Sequence, residues 1–179
     1  MPLAPDIYTA EMVRALPEDG KRYEVVHGEL LVTPAPRSAH QRIAGRLYRR
    51  LSEYCDAFAV GEAMFSPSDI SWSADTLVQP DVFVVAPQDA YDTEWEEMRS
   101  LRLVAEVLSP STARHDRNQK RALYQANGVA MIWLVDGDRR TVEVWTPAAL
   151  VPTLETERLT WHPEGAPEPF VIAIADLLK

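Results

Sequence analysis

Leu101-Arg102-Leu103-Val104-Ala105-Glu106-Val107-Leu108 is an apolar run broken only by Arg102 and Glu106. Aliphatic side chains at consecutive positions, not alternate ones, are what a strand covered on both faces requires. The run therefore reads as an interior strand, with Glu106 as its anomaly, since a buried carboxylate costs free energy unless something compensates it. Upstream, Val82-Phe83-Val84-Val85 has the same character and opens on Asp81, directly after Pro80. Downstream, about Asp116 to Ala126 reads as a helix stopped by Asn127-Gly128. Met131 to Val135 is a third apolar strand, and Asp136-Gly137-Asp138 turns it into the alternating Thr141 to Trp145.

Toward the N-terminus, Thr9 is placed to cap a short helix over Ala10 to Leu16, which Pro17-Glu18-Asp19-Gly20 ends. Tyr23 to His27 and Glu29 to Thr33 flank Gly28 and predict a hairpin. A long helix is expected from about His40 to Cys55, because Ile43, Leu47, Leu51 and Tyr54 fall on one face. Ala63 to Phe65 and Asp69 to Trp72 are candidate strands joined by Ser66-Pro67. Residues 87–100 are polar and acidic, an excursion or short helix, and the chain's end predicts a short strand pair and a last turn of helix. The expected fold class is α/β (α+β): a mixed central β-sheet flanked by helices, with an N-terminal hairpin, as one domain over residues 1–179.

Composition narrows the function classes. With 46% hydrophobic and 25% charged residues among 179, the chain is of globular rather than disordered type. No apolar run approaches the roughly 20 residues of a membrane span, and the N-terminus lacks the pattern of a secretory signal. Cys55 is the only cysteine, which excludes an intrachain disulfide or thiolate metal cage and suits a reducing cytoplasm. The net charge of −9 argues against affinity built on phosphate neutralisation alone. Base is nevertheless concentrated in two stretches, Arg37 to Arg50 and Arg114 to Arg121. Arg42, Arg46, Arg49 and Arg50 form a stripe beside the apolar face of the long helix. That stripe is either a solvated face of snorkelling arginines or a rim contacting phosphates; helical spacing does not separate the two. His40 and His115 each neighbour a basic stretch, where either is placed to contact phosphate or to serve as ordinary surface polarity, the preferred reading.

Asp81 and Glu106 each have an ordinary explanation, as a turn residue after proline and as an outward charge on an edge strand. Together they place two carboxylates at the ends of neighbouring strands, with Lys120 on the helix that follows. Hard divalent cations take such oxygen ligands. Phosphodiester hydrolysis also needs a cation beside the attacking water and the phosphate.

Gln79-Pro80-Asp81-Val82 followed by Val104-Ala105-Glu106-Val107-Leu108-Ser109-Pro110-Ser111-Thr112 resembles the PD-(D/E)XK nuclease superfamily and, more narrowly, the Uma-type restriction endonucleases, the Uma-two family. The resemblance extends over Tyr23 to Leu30, Pro34-Ala35-Pro36, His40-Gln41, Asp116 to Tyr124, Gly128-Val129 and Trp133 to Asp136, roughly residues 20–146. It implies a restriction-endonuclease-like core holding Mg²⁺ or Mn²⁺, with Asp81, Glu106 and the Val107 carbonyl as ligands. The lysine of the E-x-K pattern falls on Leu108, and the resemblance implies its transfer to Lys120. Glu29 would complete the acidic cluster from the hairpin. Where similar sequences carry a glutamate, this chain has Met131, which would remove a carboxylate near the site. The implied activity is metal-dependent endonucleolytic cleavage of DNA by a cytoplasmic homodimer, with Arg42, Arg46 and Arg117 as possible DNA contacts. The alternative is a catalytically degenerate nuclease fold that serves as a binding or dimerisation module. A two-carboxylate glycosidase has no support in aromatic sugar platforms.

Overall fold

In the computed structural model, which describes residues 7–90, 94–95 and 97–179, Leu101–Val107 is an interior strand of a six-stranded sheet. In chain order the elements are α1 (Ala10–Arg14), β1 (Arg22–Val26), β2 (Glu29–Thr33), α2 (Ser38–Phe58), β3 (Glu62–Phe65), β4 (Val82–Val85) and β5 (Leu101–Val107). Then come α3 (Ala113–His115), a π-helical turn (Asp116–Lys120), α4 (Arg121–Ala126), β6 (Met131–Asp136), β7 (Thr141–Trp145), β8 (Thr153–Glu155), β9 (Arg158–Trp161), β10 (Phe170–Ala173) and α5 (Ile174–Leu177). A 3₁₀ turn at Pro87–Asp89 begins the acidic excursion, in which residues 91–93 and Glu96 lie outside the described residues.

The sheet runs β3-β4-β5-β6-β7-β8, antiparallel except for the parallel pair β5 and β6. A parallel neighbour needs a crossover, and residues 113–126 supply it as helix. Alternation along β5 divides the interior. Leu103, Ala105 and Val107 pack toward α2, β9, β10 and α5, while Val104 joins Phe83, Ile132, Leu134 and Tyr124 on the other face. Ile43, Leu47, Leu51 and Tyr54 are all buried, the face expected of α2. Hairpin β1–β2 joins the body through Val25, whose backbone bridges Leu77. No helix among the described residues is long and apolar enough to cross a membrane.

Asp69 to Trp72 is not a strand; only Ile70 forms a bridge, with Val78. The reason lies in its hydroxyls. Ser71 Oγ donates to the carbonyls of Ser73 and Thr76, and Thr76 Oγ1 accepts from the N–H groups of Trp72 and Ser73. These local bonds offer the backbone an alternative to a ladder. Two glycines matter here. At Gly61, φ is +140° and a Cβ would stand 2.2 Å from the Val85 carbonyl oxygen, so only glycine lets the end of α2 turn this tightly onto β4. Gly45 in α2 has nothing within 4 Å of its would-be Cβ. Gly45→Ala is therefore expected to stabilise the fold by about 0.5–1 kcal/mol, the helix-propensity difference, read as a higher urea midpoint at unchanged m-value.

Candidate active site

Asp81 immediately precedes β4, and the pairing of Val82 with Ala105 sets it beside Glu106 on β5. Its carboxylate is gripped from three sides. Arg22 Nη1 donates to Oδ1 at 2.8 Å, while Oδ2 lies 2.9 Å from His40 Nε2 and accepts the Val107 N–H at 2.9 Å. Burial alone would raise the Asp81 pKa, but the His40 bond and the Arg22 charge hold it well below the usual carboxylate range. Asp81 is thus ionised, and the His40 ring presents its Nε2–H to it. The Leu108 N–H bonds to the Val135 carbonyl on β6, so the peptide edge of Val107 faces the opposite way, toward Asp81. Strand geometry puts the Val107 carbonyl on that same side.

Glu106 belongs to a second, fully buried group. Lys120 Nζ lies 2.7 Å from Glu106 Oε1, 2.9 Å from Glu24 Oε1 and 3.8 Å from Asp116 Oδ1. Tyr124 Oη donates to Glu106 Oε1 at 2.5 Å, and the Gln79 N–H donates to Glu24 Oε1 at 2.7 Å. Asp116, Lys120 and Tyr124 recur every four residues, so one side of the crossover helix presents all three to the end of β5. The π-turn sits under the first two.

Four buried carboxylates, Glu24, Asp81, Glu106 and Asp116, thus face two permanent cations, Arg22 and Lys120. Burial pushes Glu106 up to about 8, against the pull of Lys120 and with the repulsion of Asp81, Asp116 and Glu24 added. Burial raises Asp116 as well, although Lys120 opposes it. For Lys120, burial works against the charge, but Glu106, Glu24 and Asp116 outweigh it and keep the ammonium protonated. A pH dependence of stability follows. Because the folded pKa of Glu106 lies above its ordinary 4.5, its contribution is fully present below that value. It is lost as pH rises through about 8, where ionisation in the folded state is penalised. Stability is expected to fall by a few kcal/mol across this window, measured as urea midpoints, and Glu106→Gln should remove most of the slope.

The remaining predicted residues lie elsewhere. Glu29 is exposed on β2 and accepts from Gln119 Nε2, away from the cluster. The carboxylate that the hairpin does contribute is Glu24, on β1. It interrupts the apolar stretch Tyr23 to Val26 as Glu106 interrupts its own, the same signal on a shorter run. Arg42 is exposed on α2. Arg46 donates to the carbonyl oxygens of Leu177 and Lys179. Arg117 forks between Glu143 Oε1 at 2.6 Å and Asp136 Oδ2 at 3.0 Å. Both of these arginines are therefore committed to their own chain. His40 is not mere surface polarity but a partner of Asp81. Met131 pairs with Leu103, three residues before Glu106 and so about 10 Å back along the strand. It packs toward α2, whereas Glu106 points to the Tyr124 face, so Met131 does not stand in for a carboxylate of this cluster.

Two clefts open on these groups. One, of about 440 Å³, is lined by Glu24, Asp81, Glu106, Asp116 and Lys120. The other, of about 850 Å³, lies between α2 and the N-terminal hairpin and shares Arg22, Pro34–Pro36, His40 and Asp81 with the first. The oxygen donors and their surplus negative charge suit a hard divalent cation. Among the described residues, however, no three acidic or histidine side chains already surround one point; Lys120 and Arg22 take their place.

Residues 10–175 match the family described as "Uma2: Putative restriction endonuclease". No curated protein matches the chain. Among solved structures, the chain resembles one titled as a putative nuclease belonging to DUF820, from Anabaena variabilis. That protein is 23% identical, with a TM-score of 0.78 over 96% of this chain and 97% of the other. At that identity the likeness speaks for the fold, a mixed sheet of nuclease-like architecture.

Proposed function

The chain belongs to the Uma2 family, and from that premise we propose that it is a metal-dependent endonuclease hydrolysing DNA phosphodiester bonds at the cluster around Asp81 and Glu106. The observation that carries this reading is the convergence of four buried carboxylates and one buried lysine at a single sheet end, lining a cleft open to solvent. Burying so much like charge opposes folding, and a cation-binding task explains why it is there.

Asp81, Glu106 and the Val107 carbonyl would hold Mg²⁺ or Mn²⁺. The ion, when bound, would polarise the phosphate and acidify a bound water. Lys120, kept protonated by its carboxylate neighbours, donates hydrogen bonds and offsets charge on the phosphate; it is not the proton acceptor. Glu24 aims Lys120, and Tyr124 fixes the Glu106 carboxylate. Arg22 lines both clefts and supplies a guanidinium to a phosphate approaching Asp81. A homodimer in the cytoplasm completes the proposal.

The second reading, a binding or dimerisation module, draws on both Asp81 oxygens being engaged by protein donors. Supercoiled plasmid incubated with the purified chain in Mg²⁺, Mn²⁺ or EDTA separates the two. Cleavage is expected only with metal. Either ion should raise the melting temperature, by an amount corresponding to about 2.7 kcal/mol at a hundredfold excess over Kd. No cleavage and no shift with either ion sinks the nuclease reading in favour of the module.

A further inference from the structure

The larger cleft carries a feature that hydrolysis itself does not use. Phe65, at the end of β3, is 54% exposed. It is set by its surroundings rather than loose. Phe65 pairs in register with Val82, the Ser66 N–H after it donates to the Asp81 carbonyl at 3.2 Å, and Tyr48 of α2 holds its ring at a centroid distance of 4.5 Å. Phe65 and Tyr48 both line the cleft that reaches His40 and Asp81. An aromatic shelf therefore stands in the same trough as Asp81, which also lines the smaller cleft holding Glu106.

The charges of that cleft point the same way. Its cations are already paired: Arg14 with Asp69, Lys21 with Asp19 and Arg22 with Asp81. With a net charge of −9, little cationic surface beyond Arg22 is left in that cleft for a phosphate backbone, whether of a duplex or of a single strand. Stacking of a base on an aromatic face adds to the phosphate contacts in proteins that bind single strands. It needs a base whose face is free, and so an unpaired one.

We infer that the trough takes single-stranded or locally unpaired DNA, with a base stacked on Phe65 while an adjacent phosphate lies at Asp81 and Glu106. The inference rests on the nuclease reading and narrows its substrate. Fluorescence anisotropy of labelled oligonucleotides, in Ca²⁺ with the full chain, tests it. A single-stranded 12-mer should bind more tightly than the same sequence as a duplex. Phe65→Ala should weaken the single strand about tenfold and the duplex less than about twofold, the effect expected of one stacked base, and Phe65→Tyr should restore binding. Melting curves of both variants report that the fold is kept. Unchanged single-strand affinity in Phe65→Ala, equal losses on both substrates or tighter duplex binding overturns the inference. Cleavage in Mn²⁺ separates it from its premise. If the chain cuts DNA and Phe65→Ala cuts single strands as well as wild type, the stacking site is wrong and the nuclease stands. If nothing is cut but Phe65→Ala still loses single-strand affinity, the stacking site stands and the nuclease fails.

Discussion

Lys120→Met is expected to destabilise the protein by about 3–5 kcal/mol at neutral pH, the scale seen when one partner of a buried ion pair is removed. The side chain is 2% exposed, and its ammonium touches Glu106 and Glu24 with Asp116 close by. Methionine fills much of the same volume, so the loss is one of charge rather than of packing. What remains is a buried set of carboxylates without their cation. They would respond by taking up protons, which ties the size of the defect to pH: small in acid, where the carboxyls are neutral, and growing as pH rises. Urea titrations of wild type and variant at several pH values measure this divergence directly. The companion variant Lys120→Met/Glu106→Gln removes one of the stranded charges and should recover part of the loss. Coupling of about 0.5–3 kcal/mol is typical of residues in one network. A cost under about 1 kcal/mol for Lys120→Met at neutral pH, with no growth in alkali, would mean that the cluster is compensated by something other than this lysine.

How much of this was legible in the sequence follows from what each residue reports about its own neighbourhood. Helix α2 and strands β4, β5 and β6 were readable because burial imposes a period or an unbroken apolar run, and Ile43, Leu47, Leu51 and Tyr54 carry that period themselves. Strand β8 was not: Thr153 and Leu154 are exposed, and an edge strand of three residues leaves almost no pattern. Asp69 to Trp72 misled in the other direction, since its apolar residues resemble a strand while its hydroxyls hold a turn. The same limit governs the site. Lys120 lies in the polar stretch Asp116 to Arg121, marked only by its place on the helix after Glu106 and by the resemblance. Asp81 and Glu106 announce themselves as charges inside or beside apolar runs. Glu24 gives the weaker form of that signal, and Glu29, the first residue of β2, only looks like an alternative. Arg46 and Arg117 read as free cations because their partners lie far along the chain, at Leu177 and Lys179 for one and at Asp136 and Glu143 for the other. His40 is hidden for the same reason, its partner being Asp81. Long-range pairing is a property of the fold, and no local spacing reveals it.

Asp81→Asn and Glu106→Gln are expected to share one phenotype and oppose each other in a second. Both should lower metal-dependent cleavage at least about a hundredfold, because even groups outside a metal's inner ligands cost 10–100-fold when changed. Their stabilities should part. Asp81 has its carboxylate held below the ordinary range by donors from His40, Arg22 and the Val107 N–H. Its contribution is therefore present above its ordinary 3.8 and lost as pH falls below it. Replacing it with a neutral amide leaves a half-buried guanidinium without its counter-charge and should cost about 1–3 kcal/mol at neutral pH. Glu106 is in the reverse position. Its ionisation is resisted by burial and by three neighbouring carboxylates, so Gln removes a repulsion that grows with pH. Glu106→Gln should match wild type in mild acid and exceed it near pH 8–9. Activity assays in Mn²⁺ together with urea midpoints at two pH values resolve all four outcomes. Full cleavage in both variants would put the chemistry elsewhere on the chain. Parallel stability changes would mean that the two carboxylates sit in the same electrostatic environment, contrary to the separate partners each one has.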